Sequence, residues 1–151
     1  MIPQSGTLVN GVHMFAVRVY FEDTDFSGVV YHAGYLRFME RARSDMLRMA
    51  GIDQRGLWDA GEGAYAVTEL SIKYRRAARF DDALVVDSRI ARVGAATCQI
   101  RQLILRAGEL VTDALVTAAL IGSDGRPKRQ PRAWRDMFEK LAVEAGETHG
   151  H

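Results

Sequence analysis

The chain has 151 residues, with 20 Lys and Arg against 19 Asp and Glu, for a net charge of +1. That length holds one domain with a real core and not two. The near-neutral balance gives no electrostatic ground for a nucleic-acid partner, so any anion site has to come from local clustering. Cys98 is the single cysteine, which excludes an internal disulfide and fits a reducing compartment. No apolar run approaches the ~20 residues of a membrane helix, so no transmembrane segment is expected. The first residues lack the basic and apolar regions of a secretory signal, and a cytoplasmic location is the expectation.

In chain order, residues 1–13 are rich in Gly, Ser and Asn and read as a flexible N-terminal tail. The alternation Phe15, Val17, Val19, Phe21 predicts a strand. After a loop over 22–30, Tyr35, Phe38, Met39, Ala42, Met46 and Met49 recur at helical spacing, and Gly51 supplies the C-terminal stop. Residues 53–61 suit a short second helix. Four long strand-like runs come next at 64–74, 84–93, 97–106 and 110–121, broken by short turns. Pro127 and Pro131 keep "SDGRPKRQP" out of a central strand. Residues 133–143 form a weak terminal helix, and 144–151 read as a C-terminal tail.

The layout predicts an α+β domain over 14–143, with a long, mainly antiparallel sheet wrapped around one central helix. Its edge strands invite a second copy, so at least a dimer is expected.

The chemistry gathers in "EDTDFSGVVYHAGYLRFMERAR", residues 22–43. A helix start leaves free N–H groups and a positive dipole end. Here Gly28, Val29, Val30, Tyr31 and His32 precede the helix, and none is a preferred cap. An open start of this kind stabilises a carbonyl oxygen that becomes an oxyanion. Asp25 supplies the complementary carboxylate, as general base or as nucleophile. Glu40 is either a second carboxylate or a partner of Arg37 or Arg43. Asp23 or Thr24 ties down the loop, while Arg41 and Arg43 read as a solvated face or a subunit contact. Asp23, Asp25 and His32 lack metal-ligand spacing, and His13, His149 and His151 fall in the expected tails, so no metal site is expected. Cys98 sits mid-strand and reads as core rather than nucleophile.

Residues 17–48, "VRVYFEDTDFSGVVYHAGYLRFMERARSDMLR", resemble the signature of the tol–pal-associated acyl-CoA thioesterases, the YbgC group, within the 4-hydroxybenzoyl-CoA thioesterase branch of the hotdog-fold superfamily. "ELSIKYRRAARFDDALVV" and "RPKRQP" extend the resemblance over roughly residues 17–131. It implies a hotdog fold, dimers that pair their sheets and often form tetramers, and hydrolysis of acyl-CoA. It makes Asp25 the catalytic carboxylate and His32 the residue whose backbone N–H polarises the thioester carbonyl. Residues 28–31 and Glu40 then lie at the substrate, and Arg126 and Lys128 on the CoA phosphates. No cofactor is implied, since coenzyme A is part of the substrate. Two features depart from the pattern: the turn at 93–95 lacks a basic cluster, and Ala78 stands where the group often has Pro. The resemblance also suggests acyl carrier protein as a partner and a place beside the Tol–Pal machinery at the inner membrane. A binding module for acyl-CoA or acyl carrier protein is the alternative function. A hotdog dehydratase would use a different His-and-carboxylate motif.

Overall fold

A computed structural model describes the backbone of residues 1–149 and the side chains of residues 1–146. The elements run β1 (Thr7–Val9), β2 (Val12–Arg18), a 3-10 turn (Phe21–Asp23), α1 (Gly34–Met49), α2 (Gln54–Asp59), β3 (Ala64–Tyr74), β4 (Ala83–Val93), β5 (Thr97–Arg106), β6 (Glu109–Ile121) and α3 (Arg132–His149). The six strands form one sheet in the order β1-β2-β4-β5-β6-β3, antiparallel throughout. This is the α+β hotdog arrangement, a long sheet curled around α1.

The helical stripe read from the sequence is buried except at its last member, Met49, which is exposed in the final turn. Tyr35, Phe38, Met39, Ala42 and Met46 leave almost no surface in water. All but Met46 share a core cluster with Val17, Val19, Leu84, Val86 and Ile104 from the sheet side. At about 1.5–3 kcal/mol per buried large apolar side chain, this stripe is the main force seating the helix. α1 stops in a Schellman arrangement: the Gly51 amide donates to the Arg48 carbonyl at 3.1 Å and the Ile52 amide to Leu47 at 2.9 Å. α1 packs against β2 and β4, whereas β3 lies at the far edge of the sheet.

Both expected tails are shorter than the sequence suggested. Residues 7–9 pair with 12–14 as the β1–β2 hairpin. Its anchor is a buried contact that sequence periodicity does not reveal. His13 Nε2 lies 2.7 Å from Asp45 Oδ2, and the Gly6 amide donates to the same oxygen at 2.8 Å. His13 therefore belongs to the core and not to a tail. At the other end, α3 runs through residues expected as tail to His149; Gly150 and His151 lie outside the described residues. Phe138 and Leu141 bury a second apolar cluster with Met46, Leu47, Ile90 and Ile100. α1 is thus not the sole long amphipathic helix.

Burial alone would raise the Asp45 carboxyl. The Gly6 amide and the His13 ring outweigh that effect and hold it below the usual carboxylate value. A carboxyl depressed in the folded state contributes stability above its unfolded pKa, and that contribution fades as pH falls through the folded value. Asp45→Asn should therefore cost about 2 kcal/mol at pH 7, the scale of a buried bond to a charged group. Urea unfolding of the two proteins should show the gap narrowing below pH ~4. A gap that is the same at pH 7 and pH 3 would contradict this assignment.

Candidate active site

The loop that carries Asp25 is stitched at both ends. Thr24 bridges Val30, the Asp25 amide donates to the Val29 carbonyl at 3.0 Å, and the Gly28 amide returns to the Asp25 carbonyl at 3.1 Å. Gly28 closes this turn at φ +80°, which favours glycine. The far side of the loop bonds to residues 78–80. The Val30 amide donates to Ala78 at 2.8 Å, Val29 bridges Arg79, and the Phe80 amide donates to Gly28 at 3.0 Å. The Ala78 amide in turn donates to the Tyr35 hydroxyl at 2.9 Å. Proline has no N–H and could not make that bond, so Ala78 is a departure from the group's pattern with a structural consequence. Asp23 has the loop-tying role expected for it: it is buried, and its carboxylate accepts the Tyr20 amide at 2.9 Å.

At the start of α1, Ala33 is the cap residue and provides no side-chain bond. The Gly34 amide folds back to the Tyr31 carbonyl at 2.7 Å and the Leu36 amide to Ala33 at 3.2 Å. Among the described residues the His32 and Ala33 amides have no protein acceptor. A Cβ on Gly34 would sit 3.0 Å from a Val30 methyl, so glycine lets the helix start press against the loop. The His32 carbonyl accepts the Tyr74 hydroxyl at 2.9 Å, which ties this corner to the end of β3.

A cleft of about 290 Å³ is lined by Asp23, Thr24, Asp25, Tyr31, Gly34 and Arg37, among others. It brings the Asp25 carboxylate and the uncapped helix start onto one surface. Asp25 is exposed, yet its carboxyl lies below the usual value because the Ser27 hydroxyl (2.5 Å) and the Ser27 amide (2.8 Å) both donate to Oδ1. Oδ2 accepts no protein donor among the described residues.

Other expected residues divide. Tyr31 lines the cleft, but Val30 is buried in the core and Val29 is taken up by its bridge to Arg79. Glu40 lies in a different, more apolar cleft and accepts the Ser44 hydroxyl at 3.1 Å; it forms no ion pair with Arg37 or Arg43 among the described residues. Arg43 is half-buried rather than a solvated face, and donates to the buried Gln102 at 3.0 Å. Cys98 is buried and its thiol is pushed up to about 12 by that burial, which leaves it a core residue.

Arg126 and Lys128 line a cleft with Glu62 and Gly122. Ala64 pairs with Ile121 at that end of the sheet and Tyr74 with Thr112 at the other. Ten residue steps at about 3.3 Å separate the two ends by roughly 30 Å. Within one chain, the two basic residues and Asp25 are therefore not neighbours. Sequence reading missed Ser27, Arg37 and Tyr74. The Asp-x-Ser spacing of a self-bonded turn is the one signal that would have pointed to Ser27. Nothing local marks the other two.

Known proteins share both this sequence pattern and this fold. A family model described as the thioesterase superfamily matches residues 27–112. The acyl-CoA thioesterase YbgC of Haemophilus influenzae is 42% identical over 128 residues, 84% of this chain and 94% of that protein. Among solved structures, a probable thioesterase from Bartonella henselae is 40% identical with a TM-score of 0.75, covering 80% of this chain and 99% of that one. A DHNA-CoA thioesterase from Staphylococcus aureus reaches a TM-score of 0.80 at 23% identity, over 93% of this chain and 95% of that one, a likeness of fold alone. Sequence, fold and family model agree: the chain belongs to the thioesterase superfamily of hotdog proteins.

Proposed function

We propose that this protein hydrolyses acyl-CoA thioesters, with Asp25 as the catalytic carboxylate. The observation that carries this reading is the pairing of an exposed carboxylate and a helix start at one cleft: Asp25 Oδ2 and the amides of Ala33, which lines the cleft, and of its neighbour His32 have no bonding partner among the described residues. The thioester carbonyl oxygen takes the His32 amide, helped by Ala33 and the positive end of α1. Asp25 Oδ2 removes a proton from a water as its oxygen bonds to the acyl carbon. The C–S bond then breaks, and the proton passes to the departing CoA sulfur. Direct attack by Asp25 is the competing route. In a single turnover in ¹⁸O water, label in the Asp25 carboxylate marks an anhydride opened at the Asp carbon, whereas label only in the released acid marks water attack on the thioester or on the acyl carbon of an anhydride. The 42% identity to an acyl-CoA thioesterase supports the substrate class.

The rest of the reading concerns assembly. β3 presents eleven residues on an open edge, with Val67, Leu70 and Tyr74 exposed. Antiparallel pairing of two β3 strands sets the Ala64 end of one copy beside the Tyr74 end of the other. Arg126 and Lys128 of one copy then approach the Asp25 cleft of its partner, where they meet CoA phosphates. An acyl carrier protein presents the same pantetheine arm and is the second acyl donor within this reading. A cytoplasmic place, peripheral at the inner membrane beside Tol–Pal, accompanies it.

Three results test the reading. Asp25→Asn keeps the size and removes the basicity. With acyl-CoA substrates and a thiol reagent, kcat should fall at least ~100-fold while KM changes little; turnover like the wild type would refute the mechanism.

The Ser27 donors hold Asp25 ionised to lower pH than usual, so the acid limb of kcat/KM should lie below the ordinary carboxylate range. Ser27→Ala removes a donor to the charged form, which raises the Asp25 pKa and moves that limb to higher pH. A limb that stays in place would separate the rate from Asp25.

Light scattering at micromolar concentration should give at least twice the 16.8 kDa chain mass. A monomer there would remove the shared site.

A further inference from the structure

α2 is a six-residue helix that buries only Leu57. Its Trp58 stands out in solvent, 67% exposed, and makes no ring contact among the described residues. The other indole, Trp134, packs near Tyr65 at 6.2 Å between ring centres. The Trp58 backbone carbonyl accepts the Gly61 amide at 3.0 Å, but its indole stands free of ring contacts among the described residues and lines an apolar trough of about 510 Å³ with Gly61, Gly63, Ile121, Ser123 and Gly125.

This trough adjoins the cleft of Arg126 and Lys128, and the two share Gly61, Gly122 and Ser123. Indole and cations thus open on one continuous surface. The cations are not neutralised: neither Arg126 nor Lys128 forms an ion pair among the described residues. The Lys128 ammonium donates at 3.4 Å to the backbone carbonyl of Glu62, and the Asp124 carboxylate accepts the Arg126 backbone amide at 3.0 Å. The side chains of Glu62 and Asp124 stand at the same cleft and oppose phosphate there. A ligand suited to this surface carries phosphates at one end and a flat apolar ring at the other.

We propose that Trp58 is a nucleotide-binding residue, its indole stacking on the adenine ring of CoA while Arg126 and Lys128 meet the phosphates of the same molecule. This rests on the hydrolase reading for the identity of the nucleotide. Base–aromatic stacking is strong enough to matter and tolerant of geometry. The trough lies at the Ala64 end of β3, so the acyl group of the nucleotide bound here reaches the partner copy's helix start. A nucleotide-free pantetheine thioester reaches that helix start without touching Trp58.

The test has a kinetic and a binding arm. Trp58→Ala should raise KM for an acyl-CoA about tenfold, with the loss confined to the nucleotide-bearing substrate when the same acyl group is supplied on pantetheine. Trp58→Tyr should restore most of it. For binding, Trp134→Phe leaves Trp58 as the only indole of the two in the chain. Adenosine 3′,5′-bisphosphate should quench its fluorescence saturably, and pantetheine should not. Equal losses on both substrates, unchanged KM for acyl-CoA, or no quenching at millimolar nucleotide would each overturn the proposal. The quenching arm needs no turnover. A protein inactive on every thioester would sink the hydrolase reading and still leave this subsite decided by fluorescence.

Discussion

The geometry of the site depends on one short strap, residues 78–80. Its first amide donates to the buried Tyr35 hydroxyl, which fixes the first turn of α1. Its backbone also pairs with both Val29 and Val30, as a neighbouring strand would. The helix start and the Asp25 loop are therefore referenced to the same three residues, and so to each other. Ala78 itself has no exposed surface, so the bond is made out of water, where leaving the amide unpaired would cost about 1–3 kcal/mol. A site that needs a carboxylate within reach of two particular amides tolerates little drift. Here that tolerance is met by backbone pairing rather than by a rigid element under Asp25.

Much of this is legible in the sequence, because the signals are local. The α1 stripe and the run at 97–106 come from periodicities that the packed structure keeps; the run at 64–74 keeps its strand bounds, though its alternation lies on an open edge and is mostly exposed, and Gly51 ends the helix as expected. The candidate site is legible for the same reason: Asp25 and His32 lie seven residues apart in one loop. The failures share an opposite cause. His13 reads as tail because Gly6, Asn10 and Gly11 surround it, yet its partner is Asp45, 32 residues away. α3 reads as weak because its apolar face is short, and its packing against the sheet extends it. Val30 reads with its neighbours as a substrate contact, although pairing with the 78–80 strap and burial in the core turn it to structural use; the half-exposed Val29 shares only the backbone pairing. No local window contains residue 78.

The wide separation of Arg126 and Lys128 from Asp25 is the same lesson at the scale of the sheet. β6 and β3 run antiparallel, so the segment after β6 lies at the start of β3, and the helix start that touches the end of β3 lies toward the start of β6. Motif matching places the basic pair and Asp25 together as site residues; topology places them at opposite ends of one chain. The proposed pairing of two β3 edges would reconcile the two, because an antiparallel partner reverses the ends. The sheet that buries the helix on one face thus leaves, at its other edge, the strand on which the proposed assembly depends.

Asp25, Asp45 and Asp82 are all held below their usual pKa, and only the first is a candidate for chemistry. Asp45 gets its stabilised charge from a buried ring and a backbone amide, with no part in the cleft. Asp82 gets it from the Arg79 amide and the Arg106 guanidinium, both bonded to one oxygen. Asp25 gets it from Ser27 on one oxygen only, in the open, with its carboxylate at a cleft. A shifted pKa is therefore a poor marker by itself, and geometry assigns the roles. The Ser27 bonds at Asp25 keep its carboxylate ionised to lower pH and, by the same donation, make it a weaker base. A thiol such as that of CoA ionises near the pKa of cysteine, about 8.5, so its sulfur departs readily and needs little help from an acid. The demanding step is attack on the carbonyl carbon, which calls for a carboxylate that is always ionised and a carbonyl that is already polarised. In the proposed reaction an exposed Asp25 meets the first requirement at neutral pH without a buried charge, Ser27 fixes its orientation through Oδ1, and the helix-start amides supply the second.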